Sequence, residues 1–170
     1  MDDTDSLGGG CTTEVLFRLL QNLPEDVQIG QKRLVRLWPF ARRRTRGNAA
    51  VAVELRVENE ANLMEYLDEF WREEILPLRG QLLTSNHSNR QQYPADPGMV
   101  WFSDVQVDEE LYKTGLREEV TYDQLPMSSR SWGGHGKIGA TLAIHWPAKN
   151  VTYEAIAWRS SHAIASYVTF

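Results

Sequence analysis

The sequence predicts a mixed α/β (α+β) protein. Three observations point there. Segments of alternating apolar residues and segments of helical spacing succeed one another along 170 residues. The connections between them are short, and no internal repeat or low-complexity linker interrupts the series. With 42% apolar and 24% charged residues, the chain has enough apolar side chain to build a core, which excludes wholesale disorder.

Val15, Leu16, Leu19 and Leu20 share one helical face, so a helix begins near Thr12 or Thr13 and ends before Pro24. Leu34 to Leu37 reads as a short strand broken by Pro39, and Arg42 to Asn48 as a basic loop. Ala49 to Val57 alternates as a strand, with Ala49, Val51, Val53, Leu55 and Val57 on one face. Glu60 to Leu76 places Leu63, Tyr66, Leu67, Phe70 and Trp71 on the apolar side of a helix. Thr84 to Asp96 is polar and aperiodic, hence a loop.

After the Pro97-Gly98 turn signal come a buried strand over Met99 to Phe102, a helix over Asp108 to Glu119 and a short helix near Tyr122 to Leu125. Ser128 to Gly139 reads as a Ser/Gly-rich loop. Ala140 to Trp146 and Thr152 to Arg159 read as strands of a hairpin, and the tail from Ser160 as helical, then extended.

The net charge of −5 serves solubility, and a single cysteine excludes an internal disulfide and a Cys-rich zinc site. No apolar run is long enough to span a bilayer, and Asp2-Asp3-Thr4-Asp5 is unlike a signal-peptide start, so a cytoplasmic protein with no membrane partner is expected. The four histidines show no ligand spacing, and Cys11 has no assignable His partner.

Three constellations carry chemistry. Asp2, Asp3 and Asp5 crowd three carboxylates into four residues, a pattern that suits a divalent cation as well as a solvated acidic segment. Gly8 to Gly10 and a helix start follow directly, where backbone N–H groups and the helix dipole attract phosphate. Thr12 and Thr13 sit where a threonine caps a helix, or where a hydroxyl beside a phosphate receives a phosphoryl group.

The second constellation is basic: Lys32, Arg33, Arg36, Arg42, Arg43, Arg44 and Arg46 fall in one stretch with no acid, beside Trp38 and Phe40. Guanidinium forks and aromatic faces suit nucleotide phosphates or an RNA backbone, the alternative being a solvated loop. The third is Gly133-Gly134-His135-Gly136-Lys137-Ile138-Gly139, which is not a Walker A loop because Ile138 follows the lysine. Its glycines permit close backbone approach and Lys137 can meet an anion, or the stretch is a plain turn.

Together the motifs resemble the isoleucine-tRNA 2-agmatinylcytidine synthetase family. The resemblance rests on Asp2-Asp3-Thr4-Asp5-Ser6 with Gly-Gly-Cys-Thr-Thr at 9–13, and on Arg33-Leu34-Val35-Arg36-Leu37 followed by the stretch from Arg44 to Val51. Asp96 to Val100, Gly136 to Ala140 and Thr152 to Arg159 complete it, in order and over nearly the whole chain.

The resemblance implies an ATP-dependent ligase or phosphotransferase that joins agmatine to the wobble cytidine of isoleucine tRNA. It implies a kinase-like catalytic domain, residues 1–50 and 129–170, interrupted by a ferredoxin-like domain, 51–128, in βαββαβ order. Carried over, Asp2, Asp3 and Asp5 hold Mg²⁺ and assist phosphoryl chemistry, and Thr12 takes phosphate. Gly9, Gly10, Thr13, Arg44, Arg46 and Asn48 fall near ATP phosphates, and Gly136, Lys137 and Gly139 near the nucleotide or agmatine. The expected partners are ATP, agmatine or a similar amine, and tRNA. Family members continue into an oligonucleotide-binding domain and a zinc ribbon, neither of which falls within these residues. The alternatives are a shortened relative acting as a small-molecule kinase or ligase, or a non-catalytic RNA-binding module.

Overall fold

A computed structural model of the protein describes residues 1–6, 10–44, 47–80, 83–84, 91–158 and 163–169. Its centre is a four-stranded sheet in the order β2-β1-β8-β7, built from β1 (Val27–Arg36), β2 (Ala49–Val57), β7 (Thr152–Trp158) and β8 (Ala163–Thr169). β1 runs antiparallel to β2 and parallel to β8, and β7 and β8 form an antiparallel hairpin. A second pair, β5 (Gly98–Trp101) and β6 (Arg130–Gly133), is antiparallel, as is the short pair β3 (Leu83–Thr84) and β4 (Gln91–Gln92).

Residues 1 and 2 lie between the two larger sheets. The Met1 ammonium donates to Val51 O at 2.9 Å and Val51 N donates to Met1 O at 3.0 Å. Asp2 N donates to Gly98 O at 2.9 Å, and Gly98 N to Asp2 O at 3.1 Å. This dipeptide therefore bridges β2 to β5 by ladder hydrogen bonds.

Both faces of the central sheet are covered, which alternation along β2 makes possible. Val51, with Leu34 of β1, faces a core holding Val15, Leu16 and Leu19 of α1 (Thr12–Gln21) and Leu63, Leu67 and Phe70 of α2 (Glu60–Phe70). Ala50, Ala52 and Val35 face a second core holding Leu111 and Tyr112 of α3 (Glu109–Arg117) and Ile138, Leu142 and Ala143 of α4 (Lys137–His145). Small side chains at Ala50, Ala52, Ala140 and Ala143 let α4 lie close against β2. The expected apolar face of the 49–57 strand is thus the α1/α2 face.

Several elements differ from the sequence expectation. Ala140 to Trp146 is not a strand but most of α4, and its hairpin is replaced by β7–β8. A short apolar run reads alike in either conformation when it is buried all round, and Ile138 to Ala143 are all buried. Arg33 completes the helix by donating to Ile144 O at 3.2 Å and Trp146 O at 3.0 Å, carbonyls that the last turn leaves open.

The expected loop 128–139 contains β6 and the start of α4. β1 extends well before Leu34, through a register irregularity between Ile29 and Lys32 that breaks the alternation of its polar first half. α2 gives way at Trp71–Ile75 to a π-helical turn and at Leu76–Leu78 to a 3₁₀ turn containing Pro77. Of the tail, residues 160–162 lie outside the described residues, and 163–169 is strand with no helix. Of the expected 84–96 loop, residues 85–90 also lie outside them, while Thr84 and Gln91-Gln92 are strand, with Thr84 paired to Gln91.

β2 runs unbroken through the 50/51 boundary, and the central sheet combines it with β1, β7 and β8. No described helix is long and apolar enough to cross a membrane.

Candidate nucleotide-handling site

Three segments far apart in sequence meet around one cavity of about 530 Å³. Asp2, Asp3 and Asp5 form an acidic part of its wall, Arg42, Arg43, Arg44 and Asn48 of the basic loop a basic part, and Gly139 of α4 lines it too. The acidic and basic constellations, separated by some forty residues of chain, therefore border one space.

The acidic wall is held under constraint. Asp3 adopts φ +58°, a left-handed conformation that aspartate tolerates better than most residues but that still costs free energy. Its Oδ2 accepts from Asp96 N at 2.8 Å, and Asp2 Oδ1 accepts from Asp3 N at 2.7 Å. Burial pushes the Asp2 carboxyl up to about 7, helped by Asp5 and opposed by the Asp3 N–H and the Met1 ammonium. Burial pushes Asp3 up to about 8, opposed by the Asp96 N–H and reinforced by the charges of Asp2, Asp5 and Asp96.

Buried carboxyls that resist ionisation are the environment a divalent cation relieves. Among the described residues no three His, Cys, Asp or Glu side chains converge as a ready metal-binding group. The donor set fits a cation held by one or two carboxylates, with its other ligands from water or a phosphate, rather than a closed protein cage.

The basic wall divides by role. Arg43 lies over the Tyr93 ring at 5.4 Å, and Arg44 Nη1 donates to Ala41 O at 2.8 Å. Arg42 is paired with Glu119, which accepts from its backbone N–H and lies 3.9 Å from its guanidinium Nε. Asn48 Nδ2 donates to Trp38 O at 2.7 Å and its carbonyl accepts from Leu37 N, so Asn48 clamps the loop ends together. Arg33 and Arg36 are not part of this wall: Arg33 closes α4 and meets Glu54, and Arg36 pairs with Glu154.

Thr12 does not line the cavity. It is buried at the first turn of α1, 3.0 Å from Thr4 Oγ1. The N-cap is Cys11, without a side-chain cap hydrogen bond, so neither threonine caps the helix. Thr13 Oγ1 lies 3.0 Å from Cys11 Sγ, and Thr13 O accepts from Tyr167 Oη at 3.0 Å. The Cys11 thiol is half-buried; burial raises its pKa, but hydrogen bonds from Thr13 and the Glu14 N–H outweigh that and leave it below the usual value.

Gly10 stands at φ +88° against Thr4 O, so it serves the packing of the acidic loop on the α1 start. Gly9 and Arg46 lie outside the described residues.

The glycines of 133–139 make room for carboxylates of the chain itself. A Cβ at Gly139 would overlap Asp2 Oδ2, and one at Gly134 would overlap the Asp96 carboxylate. One at Gly136 would sit 2.5 Å from Asp2 O. Lys137 places Nζ over the Tyr122 ring at 5.4 Å, and neither Lys137 nor Gly136 lines the cavity. Sequence reasoning missed Tyr93, Glu118, Glu119, Tyr122 and His135 as cavity residues. Trp38, noted only as a neighbour of the basic run, lines it too. No sequence periodicity marks these positions, because folding alone brings them to the acids.

Comparison with known proteins identifies the family. The family model described as the TiaS TCKD domain matches residues 1–131. The isoleucine-tRNA 2-agmatinylcytidine synthetase TiaS of Pyrococcus horikoshii is 34% identical over 173 residues, covering 94% of this chain and 38% of its own length. The chain belongs to the TiaS family.

The TiaS relatives of Pyrobaculum neutrophilum and Thermoplasma volcanium are 33% and 31% identical, over 94% and 95% of this chain. This chain spans about two-fifths of these TiaS proteins. Among solved structures, a complex of TiaS with isoleucine tRNA and ATP superposes with a TM-score of 0.65 at 25% identity, covering 93% of this chain and 38% of that one. A tRNA fluorescent labeling enzyme superposes at 0.71 and 24% identity, covering 93% and 37%, and speaks for the fold alone. The mixed α/β architecture is similar to that of both solved structures, the TiaS complex among them.

Proposed function

We propose that this chain is the ATP-handling part of a tRNA-modifying ligase that joins agmatine to the cytidine of isoleucine tRNA. The single observation that carries the reading is the shared cavity, lined by Asp2, Asp3 and Asp5 together with Arg42, Arg43 and Arg44. Acids that can hold a cation, together with guanidinium groups that can hold phosphate oxygens, are what a metal–triphosphate complex requires. The names of the TiaS relatives support agmatine and tRNA as the other reactants, and the ATP complex among the solved structures supports the nucleotide.

In this reading one or two of the carboxylates of Asp2, Asp3 and Asp5 would hold Mg²⁺, which would neutralise charge on the transferred phosphoryl group. Arg43, Arg44 and the 47–48 backbone orient the phosphates, and Gly10, Thr13, Gly136, Lys137 and Gly139 shape the segments behind them. Thr12 is the phosphoryl acceptor: its Oγ1–P bond forms as the bond from that phosphorus to ADP breaks, and the hydroxyl proton passes to a neighbouring carboxylate. For this the Thr12 hydroxyl must part from Thr4 and reach the cavity. The division into a kinase-like part, 1–50 and 129–170, and a ferredoxin-like part, 51–128, belongs to the same reading. In it the carried-over acids, arginines and glycines fall in the first part, and β2 is the strand the two parts share. A cytoplasmic location goes with a tRNA substrate.

The test is intact mass spectrometry after incubation with ATP and Mg²⁺. A single phosphate adduct on the parent and none on Thr12→Ala is expected. An adduct of equal extent on both would remove Thr12 from the reaction, and a parent that neither binds ATP nor gains an adduct would overturn the nucleotide reading.

A second reading, an RNA-binding surface independent of ATP, is favoured by the exposed Phe40 beside the exposed Arg42. It predicts RNA binding that weakens with salt and survives Asp3→Ala.

A further inference from the structure

Asp96 uses all of its polar groups, on three different segments. Its backbone N–H donates to Asp3 Oδ2 at 2.8 Å, and its carbonyl accepts from Gly136 N at 2.9 Å. Its Oδ2 accepts from His135 N at 2.7 Å, and its Oδ1 accepts from Arg79 Nη2 at 2.7 Å and Nε at 3.1 Å. Burial works to raise this carboxyl, but the His135 N–H and the Arg79 guanidinium overcome it and hold it below the usual range. Asp96 thus ties Asp3, Arg79 and the backbone that opens α4 to one another.

Neither Asp96 nor Arg79 lines the cavity, so neither is placed to meet a ligand there. Their effect runs inward. Asp3 sits at φ +58° with its carboxylate buried, a conformation that persists only when its surroundings over-determine it. The constraints are the ladder pair of Asp2 with Gly98 on one side and the Asp96 N–H on the Asp3 carboxylate on the other. Asp96 is in turn fixed by an ion pair at its outer end, and Pro97 and Gly98 follow it directly into that ladder pair. Gly134 has no side chain because the Asp96 carboxylate occupies the space one would need.

We propose that Asp96, clamped by Arg79, is a positioning residue that fixes the backbone turn and carboxylate of Asp3 toward the cavity. The assignment rests on the metal–triphosphate reading only for its functional consequence; its structural half stands on the contacts above.

Two measurements test it. Three-bond amide couplings of Asp3 report φ directly, with no nucleotide present. They are expected to read the left-handed value in the parent and to move part of the way from it in Asp96→Asn, which keeps one acceptor for His135 N but turns an amide NH2 toward Arg79. In Asp96→Ala they are expected to average toward extended values. An unchanged Asp3 coupling in Asp96→Ala overturns the proposal.

The second is ATP affinity by calorimetry with and without Mg²⁺. Asp96→Ala should weaken the Mg²⁺-dependent part about tenfold or more, the scale of losses when a partner of a metal ligand is removed. Metal-free ATP should be nearly unaffected, and Asp96→Asn, which keeps the His135 contact and loses the Arg79 clamp, should recover only part of the loss. Equal loss with and without Mg²⁺, accompanied by a lower Tm, would mark Asp96 as structural only and overturn the proposal. A parent that binds no ATP, with the coupling change still present, leaves Asp96 positioning Asp3 and sinks the nucleotide reading instead.

Discussion

Single residues here serve two ends at once. Gly139 is in the first turn of α4, where alanine ordinarily stabilises a helix by about 1 kcal/mol. At this position the added methyl overlaps Asp2 Oδ2, so Gly139→Ala is expected to destabilise by roughly 1–3 kcal/mol instead. Chemical denaturation checks it, and combining it with Asp2→Ala should restore part of the loss. If the double variant were as unstable as the sum of the singles, the overlap would not be the cause.

His145 offers a pH-dependent case. Its Nδ1 accepts from Asp108 N at 3.0 Å, so it is neutral as folded, and burial holds its pKa below 6.5, with the Asp108 charge opposing. The unfolded chain takes up that proton first as pH falls. The stability is therefore complete above about pH 6.5 and declines as pH drops toward the folded pKa, by about 1.4 kcal/mol for each unit between the two. His145→Asn keeps an acceptor for Asp108 N and removes the titration. Melting curves between pH 7.5 and 5 should show the parent losing stability relative to the variant, and parallel curves would refute this.

At the scale of elements, α4 depends on a residue from another part of the sheet. Arg33 of β1 donates to Ile144 O and Trp146 O, and a cation there also meets the negative end of the helix dipole. Arg33→Ala is expected to cost about 1–2 kcal/mol, with Arg33→Lys recovering only part because one ammonium cannot reproduce the planar fork. ATP affinity should be unchanged by Arg33→Ala and reduced by Arg43→Ala, which together would separate the two uses of the basic run.

The same elements show what the sequence makes legible. Strand Ala49–Val57 and the bounds of α1 and α3 follow from period and caps, since Asp108 accepts from Glu110 N and Leu111 N as an N-cap should. Helix α4 does not, because burial on every side erases the period that separates helix from strand. The acids and the arginines are visible as clusters of one charge. Their meeting in one cavity is not, nor is the part of Asp96, because both depend on contacts between segments about 40 to 95 residues apart.

For the molecule as a whole, the central sheet takes strands from residues 27–57 and from 152–169, and its two faces carry separate cores. Val51 and Ala50, neighbours in β2, point one into each core. Two cores that share a strand cannot come apart without breaking it, so urea unfolding should be a single transition. Tryptophan fluorescence and far-UV circular dichroism should coincide across it, because Trp158 reports on one core and Trp146 on the other. Two resolved steps would show that the halves fold as separate units.

The bridge made by Met1 and Asp2 bears on how variants at this end should be interpreted. Its backbone is a seam between β2 and β5, while the Asp2 side chain is a carboxyl lining the cavity. The seam is indifferent to what the side chain is, whereas the carboxyl owes its position to the seam. Asp2→Asn therefore subtracts chemistry and keeps the joint, whereas trimming the first two residues removes both together. A truncated protein that has lost activity would tell an experimenter nothing about which of the two had mattered.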